Sequence, residues 1–151
     1  KALLLAQDEV YDEEGNKMNF GSFHVPNDYL FKVCRENPEF VPAVSIHPGR
    51  KDALAELDRC LASGARALKL LPNCQNVNCS LPRYDEFWRR MASAGLPFLC
   101  HTGGEMTVPV LHRSYHHNPH RPTNVSHSWY HKSTTTDAWF ASHTLPASQV
   151  L

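Results

Sequence analysis

Gly95-Leu-Pro-Phe-Leu-Cys-His-Thr-Gly103 is the stretch on which the reading of this chain turns. Gly95 follows a run in which Tyr84, Phe87, Trp88 and Met91 recur at helical spacing, so it is placed to end a helix. The apolar residues from Leu96 onward then predict a buried strand that closes on His101. Side chains alternate along a strand, which puts Pro97, Leu99 and His101 on one face and Phe98 and Cys100 on the other. Beyond it, Thr102-Gly-Gly-Glu105 supplies two glycines that let the backbone turn and approach a ligand closely, and a carboxylate in the same loop.

The same helix exit occurs earlier. Ala62-Ser-Gly64 and Ser93-Ala-Gly95 each run directly into an apolar strand, a weak internal repeat of the kind produced by equal βα units. Working outward, the pattern predicts strands over Ala2–Ala6, Val41–His47, Ala65–Leu71 and Leu96–His101. Between them it predicts a helix from an Asn27-Asp28 cap that stops before Pro38. A second helix is capped by Asp52 and buries Leu54, Leu57 and Leu61, with Gly64 as its left-handed end. Residues 7–25 read as a long polar connection with a turn at Glu14-Gly-Asn16, and Pro72–Pro82 reads as a loop. Short strands alternating with amphipathic helices argue for an α/β fold around a parallel sheet.

In a parallel barrel the carboxyl ends of the strands form the active-site face, so polar residues there are read for chemistry first. His101 is one: a histidine that merely finishes its strand, or, given the Gly-Gly-Glu loop behind it, a metal ligand. Lys69 is a second, set between Leu68 and Leu70. A buried ammonium needs a partner or a shifted pKa. Lys69 is therefore a charge-paired or carbamylated lysine at a metal site, or one whose stem lies along the sheet while its head reaches water. His47, held extended by Pro48, serves the turn, or orients other groups and touches substrate. Cys74 and Cys79 lie at a spacing that is not that of a structural zinc pair, and free thiols are expected there.

Fifteen basic against fifteen acidic residues give no electrostatic reason to expect nucleic acid or an anionic membrane as partner. Lys1–Ala6 is too short for a membrane span and lacks the pattern of a signal peptide. The five cysteines are scattered and odd in number, which fits reduced thiols in the cytoplasm. Composition changes near residue 111. Seven of the ten histidines follow that point, Asp137 is the only carboxylate there, and no apolar period persists. The expectation is a barrel-like domain over 1–110 and an irregular His/Ser/Thr-rich tail over 111–151. Because the chain opens on a strand rather than an initiator methionine, it is expected to start mid-domain as a fragment.

Val41-Pro-Ala-Val-Ser-Ile-His-Pro48, Gly64-Ala-Arg-Ala-Leu-Lys-Leu-Leu71 and the 95–103 segment together resemble the amidohydrolase-related, metal-dependent hydrolase family of TIM barrels. The resemblance covers about residues 1–110 and implies that the four strands are strands two to five of a partial (β/α)8 barrel. It makes His101 the single metal-binding histidine of strand five, and Lys69 a residue on the strand that carries a carboxylated bridging lysine in some branches. Two family features are missing from the pattern. No His-x-His pair precedes Leu3, and the tail offers neither a strand-six histidine nor a strand-eight aspartate.

What the resemblance implies is hydrolysis of a C–N or C–O bond in a small-molecule substrate. A divalent metal, with zinc the first expectation, activates the water; His101 and Lys69 are the metal residues, and Lys69, Glu105 and His47 the catalytic or pocket residues. Metal-dependent decarboxylation on the same scaffold is the nearest alternative. A non-catalytic fragment, binding metal through tail histidines such as His116 and His117, is the reading from a different class. No separate organic cofactor is expected, and self-association as a homo-oligomer is left open.

Overall fold

The computed structural model describes residues 1–19 and 23–101. Four strands, β1 (Ala2–Leu5), β2 (Phe40–Val44), β3 (Ala67–Leu70) and β4 (Phe98–Cys100), form one sheet in the order β1-β2-β3-β4. Every pairing is parallel. Strand order thus follows chain order, and each crossover carries a helix: α1 (Asn27–Glu36), α2 (Ala53–Ala62), then α3 (Pro72–Gln75) with α4 (Asp85–Ser93). Helical crossovers are what parallel neighbours require. The expected α/β class and all four strands are present, each observed strand lying inside its predicted range apart from Phe40, one residue outside.

The register divides the sheet into two faces. Val44, Leu68 and Phe98 stand side by side, with Leu70 beside Cys100. These residues pack against Leu30 and Phe31 of α1, Leu57 and Cys60 of α2, and Phe87, Trp88 and Met91 of α4. The opposite face carries Leu3, Leu5, Val41, Ala43, Lys69 and Leu99. Leu3, Leu5 and Leu99 are 44%, 40% and 37% exposed, so the described residues cover one face and leave the edges of the other open.

Both helix-ending glycines behave as read, with φ of +91° at Gly64 and +63° at Gly95. Of the two expected N-caps, Asp52 takes its position ahead of α2 and Asn27 does not take its own. Pro26 takes the cap position of α1, and neither α1 nor α2 has a side-chain cap bond. The Asn27 amide instead gives a hydrogen to the Ser45 carbonyl (3.0 Å) and one to Glu56 (2.8 Å), while its oxygen accepts from the Ser45 N–H (3.0 Å). Asp52 spends its carboxylate on Arg50 at 2.6 and 3.0 Å. A tertiary partner has outcompeted local capping at Asn27, and a neighbour two residues away has done so at Asp52. The Pro72–Pro82 loop also holds more order than expected, since α3 forms behind Pro72 and ends on Asn76 in the left-handed conformation. The tail boundary at 111 and the tail itself lie outside the described residues.

Candidate functional site

In a parallel sheet every strand leaves from the same end, so the segments after β1, β2, β3 and β4 form one rim. Asp8 follows β1, Ser45 to Arg50 follow β2, Leu71 to Asn76 follow β3, and His101 follows β4.

The first three exits are tied together by buried polar side chains. Asp8 accepts the His47 N–H at 2.7 Å, the Glu9 N–H at 2.8 Å and an Arg50 N–H at 3.2 Å. Gln75 is fully buried; its oxygen accepts from the Leu71 N–H (2.8 Å), and its amide donates to the Asp8 carbonyl (3.2 Å) and the Ser45 hydroxyl (3.4 Å). Arg50 spans both acids of the rim, Asp8 and Asp52, so the buried carboxylate is charge-paired.

His47 sits inside this network and is 1% exposed. The Gly49 N–H can only donate, and it reaches Nδ1 at 3.0 Å. The Gln75 carbonyl can only accept, and Nε2 reaches it at 2.7 Å. Together they fix the neutral ring with its proton on Nε2. Burial drives its pKa down to about 4, with Arg83 and Arg50 adding to the fall. Both nitrogens are therefore committed to backbone while the network holds. The Tyr11 ring lies 5.1 Å from this imidazole, its hydroxyl pushed up to about 12 by burial and by Asp8.

The exit of β4 is different. The His101 N–H donates to the Leu70 carbonyl at 3.1 Å, extending the β3–β4 ladder one residue past the strand. Alternation then puts His101 on the face of Leu99 and Lys69, away from Phe98 and the helices. Its Nε2 is buried without a hydrogen-bond partner among the described residues. Leaving such an atom unpaired costs about 1–3 kcal/mol, so it asks for an explanation. Lys69, on the same face, is half-buried, and burial pushes its pKa below the ordinary lysine value. No carboxylate pairs with it among the described residues.

Of the residues expected to act, His101 and Lys69 thus share a face, His47 belongs to the polar tie behind the rim, and Glu105 lies outside the described residues. Among the described residues no three His, Cys, Asp or Glu side chains gather as a metal site. Sequence reading missed Asp8, Asn27, Arg50 and Gln75. Asp8 carried a usable signal, an acid two residues past the apolar run Ala2–Ala6; Gln75 carried none.

The amidohydrolase family profile matches residues 3–150, nearly the whole sequence. The chain belongs to the amidohydrolase family. No curated protein and no solved structure matches it significantly. The family is of TIM-barrel type and its members usually bind divalent metals. The four parallel strands accord with that, and the match extends past the 1–110 range over which the resemblance had been read. A buried imidazole nitrogen with no partner among the described residues is a donor of the right chemistry for such an ion. No helix among the described residues is long and apolar enough to cross a membrane.

Proposed function

We propose that this amidohydrolase-family chain contributes the strand-five side of a metal-dependent hydrolase that cleaves a C–N or C–O bond in a small molecule. The supporting observation is the Nε2 of His101, buried at the carboxyl end of β4 on the face shared with Lys69 and without a partner among the described residues. His101 is one ligand, and the remaining ligands come from outside the described strands. A divalent ion such as zinc, when bound, supplies an acidified water and polarises a carbonyl.

The chain's own groups divide the remaining work. Lys69, desolvated and without an acid partner among the described residues, is biased toward its neutral amine. That is the form able to add carbon dioxide as a bridging carbamate, with loss of one proton, or to stand beside the ion without repelling it. Glu105, four residues past His101 in the sequence, is the carboxylate assigned to substrate contact in this reading. His47, with both nitrogens engaged, positions the rim.

Elemental analysis of the purified full chain tests this reading, together with a panel of small amides and esters. Stoichiometric zinc in the wild type and its loss in His101→Ala are expected. Retention of metal by the variant would overturn the assignment, and carbon dioxide release without hydrolysis would move the reaction to decarboxylation.

A further inference from the structure

The connection after β1 doubles back as a hairpin over residues 10–18. Tyr11 and Lys17 bridge its arms, the Met18 N–H donates to the Val10 carbonyl at 2.8 Å, and the Asp12 carboxylate accepts the Asn16 N–H at 2.7 Å. A lone hairpin is marginal in water, so this one depends on what it rests on. It rests on the exit of β2. Gly15, at φ +77°, seats so closely that a Cβ there would stand 2.6 Å from the Gly49 carbonyl oxygen. The Asn16 side chain accepts from Lys51 at 2.6 Å, and the Glu13 carbonyl accepts from Arg83 at 3.1 Å.

Gly49 links this hairpin to His47. Its carbonyl carries Gly15, and its N–H donates to Nδ1 of the imidazole. A second route runs in parallel: the Tyr84 hydroxyl stands against Gly49 and accepts from Arg83, which also holds Glu13. We propose that residues 10–18 are an acid-released strap across the rim, with His47 as its trigger and Gly49 as the link between them. A proton added at Nδ1 turns the acceptor of the Gly49 N–H into a second donor facing it. The groups around the ring do not relieve this. Arg50 and Arg83 repel an imidazolium, and Tyr11 and Tyr84, both raised by burial, stay neutral. The Asp8 carboxylate is taken by the His47 N–H and Arg50. Within the strap, Asp12 is held below the ordinary carboxylate range by the Asn16 N–H and keeps its charge. Gly49 therefore moves off, and the strap loses its seat. The switch is independent of whether His101 binds a metal.

Amide exchange of the native full chain is followed by NMR, with intrinsic rates divided out, at low urea concentrations and at two acidities. A ring freed by the open strap titrates near 6.5, against about 4 when seated, so opening is favoured as pH falls. The amides of Asp12, Gly15 and Met18 are expected to exchange about 20-fold faster at about pH 5 than at about pH 7. They do so with little urea dependence, as local opening requires, and faster than Leu68, whose N–H is bonded to the Pro97 carbonyl inside the sheet. His47→Gln keeps an acceptor and a donor but cannot take the proton, and is expected to remove the acid response. In the reciprocal direction, Gly15→Ala unseats the strap and should raise the pH at which the His47 ring titrates. Gly64→Ala, at φ +91° with open space around it, should leave that titration in place. Strap amides that exchange only together with Leu68, an acid response that persists in His47→Gln, or a His47 titration unmoved by Gly15→Ala overturns the proposal.

Discussion

The exits of β1, β2 and β3 and the exit of β4 lie on one rim but are finished in opposite ways. Behind the first three, Asp8, Asn27, His47 and Gln75 pair their buried polar atoms with backbone or with Arg50, Ser45 and Glu56. At the fourth, the Nε2 of His101 is left without a partner among the described residues. A buried polar group that is fully paired contributes to rigidity; one that is left unpaired is a cost the fold bears, and a bound ligand can offset it. The first region therefore reads as scaffold and the second as a place for chemistry. Substitutions in the two regions are expected to differ in sign as well as size.

Asp8→Ala has the largest expected effect. It strands the His47 N–H and leaves Arg50 with only Asp52, and breaking a buried charge-paired acid costs about 3–5 kcal/mol. Urea unfolding of the variant measures this as a lowered midpoint, and a loss below about 1 kcal/mol would remove Asp8 from the scaffold.

Next in size is the pH dependence set by His47. Its native pKa of about 4 lies below the ordinary 6.5, so the unfolded chain binds the proton first. Stability from this group is complete above 6.5 and is lost as pH falls from 6.5 to about 4. The span corresponds to about 3 kcal/mol. Unfolding midpoints across that window, with the His47 ring followed by NMR, check the direction; His47 titrating near 6.5 in the folded chain would contradict it.

Gly49→Ala is expected to cost about 1–3 kcal/mol by overpacking. A Cβ there would stand 2.9 Å from the Tyr84 hydroxyl and 3.0 Å from Cε1 of His47, which must give way to admit it. Thermal unfolding reads the loss, and the NMR signal of His47 reports whether its ring has moved. At the site end of the rim the effect should be smallest. Without metal, Lys69→Met is expected to leave stability unchanged or raise it by about 1 kcal/mol, because it removes a desolvated amine that no described carboxylate pairs with.

Local pattern made half of this contrast legible. Leu96 to His101 declared a strand with a histidine at its end, and Gly64 and Gly95 declared helix ends, because period, strand exit and positive φ are properties of neighbouring residues. The polar tie is a property of contacts across the chain. Asn27 looked like a helix cap in sequence, yet it reaches Ser45, 18 positions away. Gln75 is separated from Asp8 by 67 positions, and nothing near it marks the bond. His47 was visible as a strand-end histidine just as His101 was. Only the partners Gly49 and Gln75 separate a committed ring from an available one.

Urea unfolding of the wild type and of His101→Leu, each with a chelator and with saturating zinc, tests the central claim most directly. The account predicts that zinc stabilises the wild type and not the variant, while the metal-free variant is at least as stable as the metal-free wild type. Equal stabilisation of both proteins by zinc, or a metal-free variant as damaged as Asp8→Ala, would contradict it.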